Sequence, residues 1–183
     1  GISVFNLDCK GASIGTYAGS HDGEDIAARM IDQMIKARSG RALVASAGNA
    51  GAFNFHLQHS PIQDTVFSWF EHSNLLFNGQ GGLFFQLWSD TADMKDLEFA
   101  IGADRKQGSF YEFRGRTAFD SIQNRLNVIY TDSIVGTNQN RIAYVYTYAE
   151  QSQGRYLLEV AIPQPDSAQY LFRLETAGTG KID

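Results

Sequence analysis

From Thr65 onward the chain breaks into short β-type runs separated by turns, and few folds accommodate that rhythm. The runs are Thr65–Glu71, Leu83–Ser89, Leu97–Gly102, Phe110–Arg114, Leu126–Thr131, Arg141–Tyr148, Tyr156–Ile162 and Tyr170–Glu175. Alternation of apolar and polar residues is clear in Leu83-Phe-Phe-Gln-Leu-Trp88 and in Ala143-Tyr-Val-Tyr-Thr-Tyr148. Successive side chains of a strand point to opposite faces, so alternation marks a strand with one buried and one wet face. Asn78-Gly-Gln-Gly-Gly82, Gly136-Thr-Asn138 and Gln153-Gly154 supply the turns. Strands spaced in this way predict an all-β antiparallel sandwich or jelly-roll-like domain over residues 63–183. Trp69, Trp88, Tyr144, Tyr146 and Tyr148 can line a ligand platform there, although strand aromatics are more often core or cross-strand pairs.

Composition narrows the partners. Of 183 residues, 43% are apolar and only 19% charged, enough for a sizeable core and against disorder. Aromatics make up 13%, which favours β-rich packing. The net charge is −5 with no basic block, so neither nucleic acid nor an anionic membrane surface is expected as a partner. No run reaches transmembrane length. Cys9 is the single cysteine, so neither an internal disulfide nor a Cys/His zinc set is available.

The first third reads differently. Ile2–Leu7 is expected as a short strand, and Asp8–Gly19 as a glycine-containing loop. A helix is expected over Glu24–Arg38, with Asp22 as N-cap and Gly40 as the stop. Its apolar face is Ile26, Met30, Ile31, Met34 and Ile35. The run beginning at Ala42 has no polar alternation, reads as a buried strand, and ends abruptly in Gly48-Asn-Ala-Gly51. Strand, helix and strand in this order form a right-handed crossover with parallel strands. The expected architecture is therefore an α/β segment over residues 1–62, a strand–helix–strand piece of a parallel sheet, followed by the β-sandwich. Asn49 at the strand's mouth can offer a fixed amide donor, which suits the oxyanion of acyl transfer. An Asn-Gly turn with no chemistry is the plainer reading of the same residues.

These pieces, taken in order, resemble the middle of a subtilisin-like serine peptidase, or subtilase. They are Val4-Phe-Asn-Leu-Asp8, Ser13-Ile-Gly15, Gly19-Ser-His-Asp-Gly23, the helix, and Ala42 to Gly51. The resemblance covers about the first 60 residues. It implies that Asn49 completes the oxyanion hole, and that Ser13, Ile14, Gly15, Ala47 and Gly48 line the substrate cleft. The β-rich remainder resembles an insertion found in some large bacterial subtilases, on the strength of Leu87 to Asp93, Leu97 to Ala103 and Arg173 to Gly180. The resemblance further implies a secreted, periplasmic or cell-surface enzyme acting on peptide or protein substrates.

The rest of the triad chemistry is absent from this sequence. No His-Gly-Thr occurs, and Gly136-Thr-Asn and Gly178-Thr-Gly lack the serine of Gly-Thr-Ser. Asp132-Ser133-Ile134 lacks the glycine of Asp-Ser-Gly and reads as a strand end. The chain is therefore expected to be inactive alone and to need the remainder of a parent subtilase. A homodimer through exposed sheet edges is one way to cover the cut sheet. The alternative reading is a non-catalytic β-sandwich binding module for protein or glycan, with a degenerate subtilase-like segment. His21 beside the helix start is expected to be a loop histidine. His56 and His59 have no evident third ligand, so no metal site is expected. Asp90, Asp93, Asp96 and Asp104 offer oxygens to a structural calcium, but without EF-hand spacing a solvated acidic loop is expected. No other cofactor is expected.

Overall fold

The computed structural model describes residues 22–44, 57–58, 60, 65–74, 79–152, 154–163, 165 and 170–181. The chain divides into two compact units, Gly1–Phe55 and His56–Asp183.

In the first unit the described element is helix α1, Ile26–Lys36. It starts later than the sequence indicates. Asp25, not Asp22, is the N-cap, and its Oδ1 accepts from the Ala28 N–H at 3.0 Å. Asp22 acts one step earlier, accepting from the Glu24 N–H at 2.9 Å. The Asp25 bond satisfies a donor that a helix start leaves unpaired. An Asp32–Lys36 pair at 2.6 Å links one helical turn. At the far end Arg41 Nη1 donates to the Met34 carbonyl at 2.6 Å. The apolar side chains Ile26, Met30 and Met34 are exposed.

The expected parallel strand–helix–strand unit is not found among the described residues. Among the described residues every strand pair is antiparallel. Residues 41–44, the start of the run expected as a buried strand, form no strand, and Val44 is 93% exposed. A parallel strand is held by neighbours on its edges and covered on both faces. The described part of this unit supplies neither, and residues 41–44 lie outside any sheet. Ile2–Leu7 lies outside the described residues.

The second unit is a two-layer antiparallel sandwich. Its strands are β1 (Val66–Phe70), β2 (Gly82–Asp90), β3 (Leu97–Gln107), β4 (Phe110–Arg116), β5 (Asp120–Ser121), β6 (Tyr130–Val135), β7 (Arg141–Ser152), β8 (Arg155–Pro163) and β9 (Tyr170–Gly178). One helical turn, α2 (Thr91–Met94), follows β2, and a 3₁₀ turn, Ile122–Arg125, follows β5. The first sheet has the order β1-β9-β3-β4, with β5 pairing β3. The second has the order β2-β8-β7-β6. The strand expected over Leu126–Thr131 is displaced. Asn127 adopts a positive φ of 60°, Val128 and Ile129 are exposed, and β6 begins only at Tyr130.

One apolar cluster joins the layers. Phe99, Ile101, Phe172 and Leu174 come from the first sheet, and Leu87, Ile134, Val145, Leu158 and Val160 from the second. Full burial of such a side chain contributes about 1.5–3 kcal/mol. Phe70 and Phe85 stack across the layers, with centroids 4.3 Å apart. At one margin β4 presses against β6 so closely that a Cβ on Gly115 would lie 2.2 Å from the Val135 carbonyl oxygen. Glycine is the residue that permits this approach.

Candidate functional site

The residues tied to peptidase chemistry, Asn49, Ser13, Ile14, Gly15, Ala47 and Gly48, lie outside the described residues, as do His21, His56 and His59. The four acids considered for calcium are not gathered. Asp104 is buried on the first sheet, Asp90 lies 3.7 Å from Arg155, and Asp96 lies 3.7 Å from Lys95. Among the described residues no group of three metal-ligating side chains occurs. No described helix is long and apolar enough to cross a membrane.

What the fold does gather is a set of aromatic residues on the outer face of the second sheet. In β7, Val145, Thr147 and Ala149 are buried, so Tyr144, Tyr146, Tyr148 and Glu150 point to the opposite side. The register extends this into rows. Tyr146 pairs with Ala161, which pairs with Phe84. Tyr148 pairs with Glu159, which pairs with Gln86. Glu150 pairs with Leu157, which pairs with Trp88. Four of the five aromatics singled out in the sequence therefore share one face. They are not core: Tyr144 is exposed, and Tyr146, Tyr148 and Trp88 are half-buried.

Polar side chains lie between the rings. Gln86 Nε2 donates to Glu159 Oε1 at 2.7 Å, and Trp88 Nε1 lies 3.4 Å from Gln86 Oε1. The Tyr148 hydroxyl donates to Glu150 Oε2 at 3.2 Å. At the β7 start the Arg141 guanidinium sits 4.0 Å from the Tyr144 ring centroid, a cation–π contact. The Tyr148 phenol is held above its ordinary pKa. Loss of hydration is the main cause, followed by the hydrogen bond to Glu150 and the charges of Glu150 and Glu159. Glu159, Glu150, Gln86 and Phe84 were not singled out from sequence. The available signal was a single acid, Glu159, inside the otherwise apolar run of β8.

Trp69 sits on the outer face of the first sheet, where the charges are internally compensated. Asp104 and Glu175 are each only 2% exposed. Trp69 Nε1 donates to Asp104 Oδ2 at 2.7 Å. Arg173 reaches Asp104 at 3.3 Å and Glu175 at 2.7 Å, and Arg116 reaches Glu175 at 2.6 Å. The rings of Phe67 and Phe113 flank the Arg173 guanidinium at 4.8 and 4.4 Å. Gly102 opposite Arg173 leaves room for this arrangement, since a Cβ there would approach Arg173 Nε to 3.0 Å.

A third polar cluster ties the 3₁₀ turn to the second sheet. Arg125, 6% exposed, donates to Asp120 and Asp132 at 2.6 Å each and to Thr147 Oγ1 at 3.0 Å. Burial acts to raise the Asp120 pKa. Hydrogen bonds from Asn124 and Arg125, the Arg125 charge and the Ser121 N–H outweigh it, and the carboxyl is held below its ordinary value. Burial acts to lower the Arg125 pKa, and the bonds and charges of Asp132 and Asp120 reverse that.

A hollow of about 230 Å³ is lined by Ser89, Asp90, Asp93, Arg155 and Lys181. It holds two acids and two bases, and it is smaller than the roughly 300–1,000 Å³ clefts that enclose small-molecule ligands. The fold and its surfaces define a two-sheet antiparallel β-sandwich with an outward aromatic face. No family model, curated protein or solved structure matches this chain.

Proposed function

We propose that the unit His56–Asp183 is a non-catalytic binding module, and that its ligand lies across the outer face of the β2-β8-β7-β6 sheet. One observation carries this reading: Trp88, Tyr144, Tyr146 and Tyr148 project outward from one face with Gln86, Glu150 and Glu159 among them. Aromatic side chains offer large contact area at low entropic cost, and a polar tip each, which is why they are enriched at recognition surfaces. The residues are spread along the face of a sheet, so the surface suits an extended ligand. The oxyanion reading of Asn49 draws no support from any described residue, and the parallel scaffold it called for is missing among them.

The test compares two tyrosine variants on glycan and peptide arrays. Tyr146→Ala removes a ring from the proposed face, and Tyr111→Ala removes one from the other sheet. Binding that falls at least tenfold in the first and persists in the second is the expected result. An unchanged profile for Tyr146→Ala overturns the reading.

A further inference from the structure

The two outer faces differ in how their acids are held. On the first sheet, Asp104 and Glu175 are taken by Arg173 and Arg116. On the second, Glu159 is held by the Gln86 amide and Glu150 by the Tyr148 hydroxyl. Both donors are neutral, and among the described residues no ion pair involves either acid. The middle of this face therefore keeps two negative charges. The nearest guanidiniums in the register are engaged at its margins, Arg141 on the Tyr144 ring and Arg155 beside Asp90.

Hydrogen-bond chemistry points the same way. One Gln86 amide N–H and the Tyr148 O–H are already donated to the acids. Beside the remaining phenol hydroxyls, the face presents two charged acceptors and π-clouds. A sugar hydroxyl is both donor and acceptor, whereas ammonium and guanidinium groups are donors only. Cations also gain from the ring faces, as Arg141 does on Tyr144. Spacing adds a third argument. The Tyr144 and Tyr146 centroids are 6.5 Å apart, and Tyr148 continues the same alternate-residue repeat of β7. Alternate residues of an extended peptide repeat at about 6.4–6.8 Å.

We propose, building on the binding-module reading, that the ligand is an extended basic peptide segment whose Lys or Arg side chains lie on the Tyr146 and Tyr148 rings beside Glu150 and Glu159. The charge-neutralised first sheet is not part of this site.

Fluorescence anisotropy on the full chain tests this with three probes: a labelled peptide alternating Lys and Ser, its Glu–Ser counterpart, and a labelled neutral β-glucan. The Lys peptide binds, the other two do not, and affinity falls as salt rises. Glu159→Gln preserves shape and removes one charge, and is expected to weaken the Lys peptide about three- to tenfold. Glu112→Gln on the other sheet has no effect. Equal binding of the Lys peptide by wild type and by a Glu150→Gln, Glu159→Gln double variant overturns the proposal. Glucan binding that depends on Tyr146, without peptide binding, overturns the basic ligand but leaves the face as a binding surface. Absence of binding by all three probes overturns the basic-peptide ligand. The broader face reading then rests on the array comparison.

Discussion

Arg125 is the side chain whose loss this sandwich should tolerate least. It satisfies two carboxylates and a threonine, and its guanidinium lies 4.7 Å from the Tyr130 ring centroid. Arg125→Ala leaves Asp120 and Asp132 facing each other without a cation. Breaking a buried pair in this way costs about 3–5 kcal/mol, and water contact at both acids places this case near the low end. Urea denaturation measures it, and a loss under 1 kcal/mol would contradict the packing described. Asp120 carries a pH signature. Its folded pKa lies below the ordinary 3.8, so the unfolded chain binds the proton more readily. The stabilisation is complete above the unfolded value, near pH 4, and is lost as pH falls through the folded value. Asp120→Asn should flatten that acid limb, as read by melting temperature between pH 5 and pH 2.

At the scale of elements, the contact between β4 and β6 gives the sharpest expectation. Gly115→Ala places a methyl against the Val135 carbonyl, which only a backbone shift relieves. Overpacking of this kind costs about 1–3 kcal/mol, and a chemical melt of the variant against wild type measures it. The same elements show what a sequence can reveal. β3 and β7 begin at Leu97 and Arg141, where the β-type runs begin in the sequence. Their ends run further than the pattern, to Gln107 and Ser152, because hydrogen-bonded pairing continues after the buried side has ended. β6 was misplaced because Val128 and Ile129 look like strand residues, while Asn127 in a left-handed conformation delays the ladder. The described start of the run from Ala42, through Val44, misled for a related reason. Apolar residues in sequence state a wish for burial, not the partner that provides it. In the candidate site, alternation alone sufficed to put Tyr144, Tyr146 and Tyr148 on one side. The bond between Gln86 and Glu159 spans 73 positions and exists only through the β2–β8 register, which no local pattern reveals.

For the whole molecule, the described apolar core lies within residues 83–174, entirely inside the second unit. Its assembly depends on distant pairings. β9 lies between β1 and β3, and Val66 pairs with Thr176. Such non-local contacts make folding slow, because a long loop must close before they form. A chain stopped before Tyr170 should therefore lose cooperative thermal unfolding, as followed by circular dichroism. Retention of a sharp melt would show that the first sheet does not depend on β9. During synthesis this order imposes a wait. While the ribosome has yet to release the stretch from Tyr170, β1 has no neighbour, and β3 presents an open edge where its partner belongs. The emerging polypeptide is most vulnerable to pairing with a stranger in that interval.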